Sequence, residues 1–310
     1  MVQIKIDAVN ISEAKGTVKK PVPAILLNKL GIEGDAHAGK WHRQVSLLGK
    51  ESIDQYNLIA NSQISFGEFA ENITTEGFPL YQMKPLDRLV CNDTILEVTQ
   101  IGKKCHGAKC HIFVQTGDCV MPKEGIFCRV ISGGVLKPGD MLEYHPKMMK
   151  VTMITLSDRA SEGIYEDQSG PLLGQLIEQF FTENGRKSVV EKHIIADDKN
   201  VLRQLIQSKT ESGCDILFTT GGTGIGERDI TPDVVKPMLD KEITGIMELI
   251  RVKYGMQFPN ALVSRGVAGV IGETLVYTLP GNPKAVKEYF NEIAPTIEHS
   301  LRMLQGIDSH

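Results

Sequence analysis

The run TTGGTGIGERDITPD (219–233) gathers residue types suited to holding a phosphate. Gly221, Gly222 and Gly224 let the backbone turn sharply and come close to a ligand, presenting N–H groups to anionic oxygens. Thr219, Thr220 and Thr223 add hydroxyl donors, and Arg228, Asp229 and Asp233 follow with charges of both signs. The run has neither the Lys-Ser/Thr of a Walker A loop nor the spacing of G-x-G-x-x-G. Alone it reads equally well as a glycine-rich turn without a ligand. The charged residues after it favour the phosphate.

Three more loops carry comparable chemistry: SDRASEGIYEDQSGP (157–171), the pair Asp197 and Asp198, and LPGNPK (279–284). Carboxylates from two neighbouring loops at a phosphate site suit Mg²⁺, which binds through one or two carboxylates plus phosphate oxygens. Asp197 and Asp229 are that pair, whereas Asp198 reads better as a helix N-cap. Ser157 and Asp158 either touch a ligand or cap the helix that follows. Arg159, Arg265 and Lys284 either pair with phosphates or stand in solvent.

The elements that would deliver these loops are legible. VTMITL (151–156), SVVEKHIIA (188–196), DILFTT (215–220) and TLVYTLP (274–280) read as strands. An apolar stripe of Leu172, Leu173, Leu176, Ile177, Phe180 and Phe181 predicts a helix entered at Pro171 and left at Gly185. NVLRQLIQSK (200–209) and 283–305 predict two more. Alternating strands and helices imply a doubly wound α/β sheet, which sends the loops after its strands to one edge.

The first half has a different grammar. Short apolar stretches such as TILEVTQI (94–101) and IFCRVI (126–131) alternate with turn signals, VLKPGDML holds a Pro-Gly-Asp turn, and one helix fits 49–61. This predicts a β-rich barrel. The polar stretch EYHPKMMK (143–150) marks the boundary, giving domains at 1–147 and 148–310.

A length of 310 residues suits two domains, and 41% apolar with 23% charged residues is a foldable composition. A net charge of -4 argues against a global attraction to nucleic acid or acidic membranes. No apolar run reaches membrane-spanning length, and the N-terminus lacks a signal-peptide apolar region, so a cytoplasmic location is expected. The six cysteines read as thiols, ligands or catalytic groups and not as a disulfide framework. Cys105, His106, Cys110, His111 and Cys119 are spaced to bind zinc. Alternatively, one of them supplies a soft thiolate or persulfide, with Cys110 and Cys128 as buried apolar residues. Asp35, His37, His42 and Arg43 form a compact polar cluster that would bind a phosphate or orient a thiol.

Residues 150–306 resemble the MogA/MoaB family of molybdopterin-binding proteins through SDRASEGIYEDQSGP, TTGGTG, RDITPD, SRG (264–266) and LPGNPK. The resemblance implies a molybdopterin adenylyltransferase using ATP and Mg²⁺ in molybdenum cofactor biosynthesis. Its two important acidic residues fall on Asp197 and Asp229, which would also hold the metal. The second loop reads IADD where an IPDE-like pattern is expected, so Asp198 stays an alternative to Asp197. The ligand-binding positions implied are Ser157, Asp158, Thr220, Gly221, Gly222, Thr223, Gly224, Asp233, Ser264, Arg265, Pro280, Gly281, Asn282 and Lys284. A phosphate nucleophile is already ionised near neutral pH, which agrees with the lack of His in these loops.

Residues 1–145 resemble a MOSC domain through GIEGDAHAGKWHRQVSLL (31–48), GEFAENITTEG (67–77) and the segment 101–130. That resemblance implies a barrel handling the molybdenum cofactor or its sulfur, with a reactive Cys105. The pair of resemblances implies a bifunctional cofactor-assembly protein; a non-catalytic carrier of molybdopterin is the alternative, and molybdate insertion a third reading. The family also implies a homo-oligomer, a trimer, and a molybdenum-insertion enzyme or molybdoenzyme as acceptor.

Overall fold

A computed structural model describes residues 2–104, 113, 119–164 and 166–307. The chain divides into two compact units, one running to Lys147 and including Ile307, the other spanning Met148–Gly306.

The first unit is a closed β-barrel. The unit's strands are β1 (Val2–Ile11), β2 (Lys20–Val22), β3 (Ile25–Asn28), β4 (Gly31–Ile32), β5 (Val45–Gly49), β6 (Ile73–Glu76), β7 (Arg88–Cys91), β8 (Thr94–Ile101), β9 (Ile126–Ser132), β10 (Gly134–Leu136) and β11 (Met141–His145), of which β10-β3-β4 form a separate small sheet. The large sheet runs β11-β7-β8-β9-β5-β6-β1-β2, and pairing of β11 with β1 closes it. Closure leaves no free edge around the ring, so every strand between β11 and β1 is paired on both sides. Alternate side chains point inward: Ile4, Ile6, Val45, Leu47, Leu96, Val98, Ile126 and Cys128 fill the barrel. Burial pushes the Cys128 thiol far up, which makes it inert packing. The Pro-Gly-Asp turn connects β10 to β11 with Gly139 at φ +91°. A helix at Lys50–Ala60 covers part of the outside.

One buried carboxyl in this unit gives a pH-dependent prediction. Glu71 is fully buried; its Oε1 accepts from the Thr74 hydroxyl at 3.0 Å and from the Gly67 N–H. Burial pushes it up to about 7 despite those bonds. A carboxyl raised on folding stabilises below its unfolded value, near 4.3, and that contribution disappears as pH climbs through the folded value. Unfolding free energy of the barrel is expected to fall by about 3 kcal/mol between pH 4.5 and 7.5 from this group. Glu71→Gln should flatten the profile. Trp41, the sole tryptophan, lies in this unit and reports its unfolding by fluorescence. An unchanged pH slope in the variant would remove Glu71 as the source.

In the second unit the strands are β12 (Met148–Leu156), β13 (Lys187–Ile195), β14 (Ile216–Thr220), β15 (Lys241–Glu242), β16 (Ala268–Ile271) and β17 (Thr274–Leu279). Their order is β13-β12-β14-β17-β16-β15. The first four are parallel; β16 and β15 are antiparallel additions. Helices Ser169–Glu183, Thr244–Gly255 and Pro283–Leu304 cover one face through Leu173, Ile177, Phe181, Met247, Ile250, Val286 and Ile293. Lys199–Glu211 and Thr231–Val235 cover the other through Leu202, Ile206, Val234 and Val235. The doubly wound arrangement follows from this two-sided burial. Among the described residues no helix is long and apolar enough to cross a membrane.

Candidate active site

The parallel strands align their carboxyl ends, with Thr155 paired to Thr220 and Thr220 to Leu279. The loops that leave them enclose a cavity of about 670 Å³. All four loops singled out in the sequence reach it: Ser157 from the first, Asp197 from the second, Thr220–Gly224 and Asp229 from the third, and Pro280, Gly281, Asn282 and Lys284 from the fourth. Ser264 also lines it.

The floor is bare backbone for steric reasons. Gly221 has φ +95°, and a Cβ there would run into the Leu156 carbonyl oxygen. Gly222 has φ +61°, and its Cβ would stand 2.6 Å from Thr231 Oγ1. A Cβ on Gly224 would stand 2.6 Å from Asp229 Oδ2, and one on Gly281 would stand 3.2 Å from the Gly221 Cα. These glycines are therefore needed by the loop itself as well as by any ligand, and substitution there strains the fold.

Arg265 and Asp233 lie off the cavity lining and bond to the glycine-rich loop and to each other. The Arg265 Nε donates to the Gly224 carbonyl at 2.6 Å, Nη2 donates to the Asp229 carbonyl, and Nη1 pairs with Asp233 Oδ1 at 2.7 Å. The guanidinium is spent on bracing the glycine-rich loop from behind, and neither residue lines the cavity. Arg159 is exposed on the short helix Asp158–Ser161 and also lies off the lining.

The carboxylates divide by role. Asp198 caps the helix Lys199–Glu211, its Oδ1 accepting from the N–H groups of Asn200 at 2.7 Å and Val201 at 3.0 Å. These bonds hold it below the usual carboxylate range. Its neighbour Asp197 faces the cavity. Burial raises the Asp197 carboxyl, against a hydrogen bond from the Asp158 N–H, and the negative charges of Asp158 and Asp229 add to the rise. Asp229 Oδ2 accepts from the Gly226 N–H at 2.8 Å. Asp158 does not line the cavity; it pairs with Arg228, which does. Among the described residues no three His, Cys, Asp or Glu side chains group as metal ligands. Asp197 and Asp229 are carboxylates that two neighbouring loops bring to the same cavity.

Several lining residues went unread in the sequence. Asp167 accepts from the Thr155 hydroxyl at 2.8 Å and from the Ser169 N–H at 2.9 Å, and the Ser169 hydroxyl donates to the Gly281 carbonyl at 2.7 Å. The Asp two residues before Ser-Gly-Pro was a readable cap signal. Tyr254, Phe258, Asn260 and Tyr289 close another wall. The Tyr289 hydroxyl donates to Ser264 Oγ at 2.8 Å, and Lys284 Nζ lies 3.5 Å from the Phe258 ring centre. Tyr254 comes from the helix Thr244–Gly255 and Tyr289 from Pro283–Leu304, whereas Phe258 and Asn260 belong to the start of a short 3₁₀ segment, Pro259–Val263, which carries no apolar period.

In the barrel, Cys105, His106, Cys110 and His111 lie outside the described residues, so the thiol and zinc readings there rest on the sequence alone. Asp35 is buried, paired with the equally buried Lys19, and accepts the N–H groups of Ser12 at 3.0 Å and His37 at 2.9 Å. The His37 ring stacks on Trp41 at 6.2 Å, and the Arg43 guanidinium stands 5.0 Å from the Trp41 ring centre. The His42 carbonyl accepts from the Thr99 hydroxyl at 2.7 Å. Asp35 thus anchors the motif from inside, while His37 is partly exposed. Cys119 is buried.

Residues 152–299 match the family described as "Probable molybdopterin binding domain", and residues 34–143 match the MOSC domain. The chain is similar to a molybdopterin adenylyltransferase of Helicobacter pylori, 34% identical over 159 residues that are 50% of this chain and 88% of the relative. It is similar to the molybdopterin adenylyltransferase of Haemophilus influenzae, 38% identical over 143 residues, 46% of this chain and 71% of that protein. Gephyrin of Dictyostelium discoideum is 34% identical over 162 residues, 50% of this chain and 22% of its own length.

Proposed function

Since the chain belongs to the molybdopterin-binding domain family through residues 152–299 and carries a MOSC domain over 34–143, we propose that its C-terminal unit adenylylates molybdopterin with Mg-ATP. The observation that carries this reading is the convergence of a side-chain-free glycine floor with Asp197 and Asp229 in one cavity. The floor offers backbone N–H groups to phosphates, and Arg228 and Lys284 add positive charge at the lining. A phosphate oxygen of molybdopterin attacks the α-phosphorus of ATP; the bond from that phosphorus to the β-bridging oxygen breaks, and pyrophosphate leaves with the bond's electrons. The attacking phosphate brings no proton that must be removed, so the site works by alignment and charge neutralisation. Mg²⁺ arriving with ATP would be held by Asp197 and Asp229 and would neutralise charge on the leaving pyrophosphate. Incubating the chain with molybdopterin and Mg-ATP and weighing the product by mass spectrometry tests this. Adenylyl-molybdopterin is the expected species; unmodified molybdopterin that stays bound would instead make the protein a carrier.

For the barrel we propose handling of the cofactor or its sulfur, with Cys105 as the reactive thiol. The motif flanks Cys105 with Lys103, Lys104 and His106, and nearby positive charge favours the thiolate. Cys105 should alkylate with iodoacetamide faster than Cys128 or Cys214, both buried. Slow labelling that speeds up after chelation would support zinc instead.

A further inference from the structure

Asp158 ties three of the four loops together without touching the cavity. Its Oδ1 accepts from the Asp197 N–H at 3.0 Å, while the Asp158 N–H donates back to Asp197 Oδ2 at 3.3 Å. The same carboxylate takes the Arg228 guanidinium in a fork, Nε to Oδ2 at 3.0 Å and Nη2 to Oδ1 at 2.6 Å. Ser157, just before it, fixes the local backbone by accepting the Ala160 N–H at 3.2 Å. One side chain from the β12 loop therefore sets the backbone of the β13 loop and parks a cation from the β14 loop.

The Asp197 carboxylate is consequently not free to swing. It is held on one oxygen by the Asp158 N–H, and its other oxygen would lie 3.4 Å from a Cβ on Gly222, which places it over the glycine floor. Paired exchange of a backbone N–H and a side-chain oxygen between two residues fixes both backbone and rotamer. A fork of charge-assisted bonds from Arg228 orients the Asp158 carboxylate in turn. The family resemblance implies a ligand-binding position at Asp158; in the structure its carboxylate bonds to the Asp197 N–H and to Arg228.

We propose that Asp158 is a positioning residue that aims Asp197 at the metal-nucleotide and holds Arg228 at the rim. This rests on the adenylylation reading for the identity of the ligand, and its test is separable from that reading. Outer partners that orient metal-binding side chains typically contribute about 10–100-fold in affinity or activity.

The test uses the full chain, Mn²⁺ as a paramagnetic substitute for Mg²⁺, and an ATP analogue with a non-cleavable α,β-bridge. Bound Mn²⁺ is counted by electron paramagnetic resonance, which requires no turnover. Asp158→Ala is expected to weaken Mn²⁺-nucleotide binding about 10–100-fold. Asp158→Asn keeps an oxygen for the Asp197 N–H and should recover most of that loss. On an Asp197→Asn background, Asp158→Ala should add little, because both changes act on one group. Circular dichroism thermal melts check that each variant is folded; if Asp158→Ala is not, Asp158→Asn and the Asp158→Asn/Asp197→Asn pair carry the test, with a loss under tenfold for Asp158→Asn and no further loss in the pair. Wild-type binding by Asp158→Ala, or losses that add fully on the Asp197→Asn background, would overturn the proposal. Tight Mn²⁺-nucleotide binding without any adenylylation of molybdopterin would defeat the catalytic reading and leave this one standing.

Discussion

Asp229→Asn is expected to lower adenylylation turnover by about 10²–10³-fold while the protein stays folded. The asparagine oxygen can still accept the Gly226 N–H that Asp229 Oδ2 accepts at 2.8 Å, so the loop retains its shape. The Asp229 carbonyl, which receives the Arg265 guanidinium, is untouched by the change. What is lost is one negative charge at the cavity lining, close enough to Asp197 to add to the rise of its carboxyl. If Asp229 helps hold Mg²⁺ on the polyphosphate, that charge acts where the transition state concentrates charge. Steady-state rates at saturating Mg-ATP, compared with a calorimetric Kd for molybdopterin, separate the two steps. A normal Kd with a collapsed rate is the expected pattern. Near-wild-type turnover would remove Asp229 from the mechanism.

Asp35→Ala is expected to cost about 3–5 kcal/mol of barrel stability, because it strands a buried ammonium. The Lys19 and Asp35 side chains are both 0% exposed, with Nζ to Oδ2 at 2.5 Å. Lys19 is lowered by burial, which the Asp35 hydrogen bond and charge oppose. Burial alone would raise the Asp35 carboxyl, but bonds from His37 and Lys19 and the Lys19 charge hold it well below the usual range. A depressed carboxyl stabilises above its unfolded value and loses that contribution as pH falls through the folded value. The Asp35 term is therefore flat from pH 5 upward and fades only in acid, the opposite sense to Glu71. Denaturant unfolding followed through Trp41 reads the loss. Adding Lys19→Met should restore part of it, since an apolar replacement needs no partner. A loss under about 1 kcal/mol in Asp35→Ala would show that the pair is solvated in practice and that the anchor lies elsewhere.

Fold and site differed in how far the sequence disclosed them. TILEVTQI became β8 at the same residues, and the Leu172–Phe181 stripe became a helix whose buried face is Leu173, Ile177 and Phe181. Period alone determines such elements, because burial on one side repeats at fixed intervals. Strand-end loops rich in Gly, Asp and Thr were equally readable, since open parallel sheets gather them at one edge. Partnering was not readable. Asp158, Asp233 and Arg265 carry the charges of ligand-binding residues, yet they spend those charges on other loops. Which of two adjacent aspartates faces inward depends on where a helix starts, and the N-cap geometry at Asp198 decides it. The wall containing Phe258 and Asn260 comes from an irregular segment with no period to detect. The short antiparallel β15 and β16 were missed for the same reason: each is too brief to show alternation.

Pyrophosphate release tests the central claim most directly. The full chain, supplied with ATP and Mg²⁺, should release little pyrophosphate until molybdopterin is added, and then one equivalent for each adenylyl-molybdopterin formed. Asp229→Asn should suppress both signals together. Tight molybdopterin binding with no molybdopterin-dependent pyrophosphate, under conditions where ATP also binds, would contradict adenylyl transfer and leave the cavity as a carrier site.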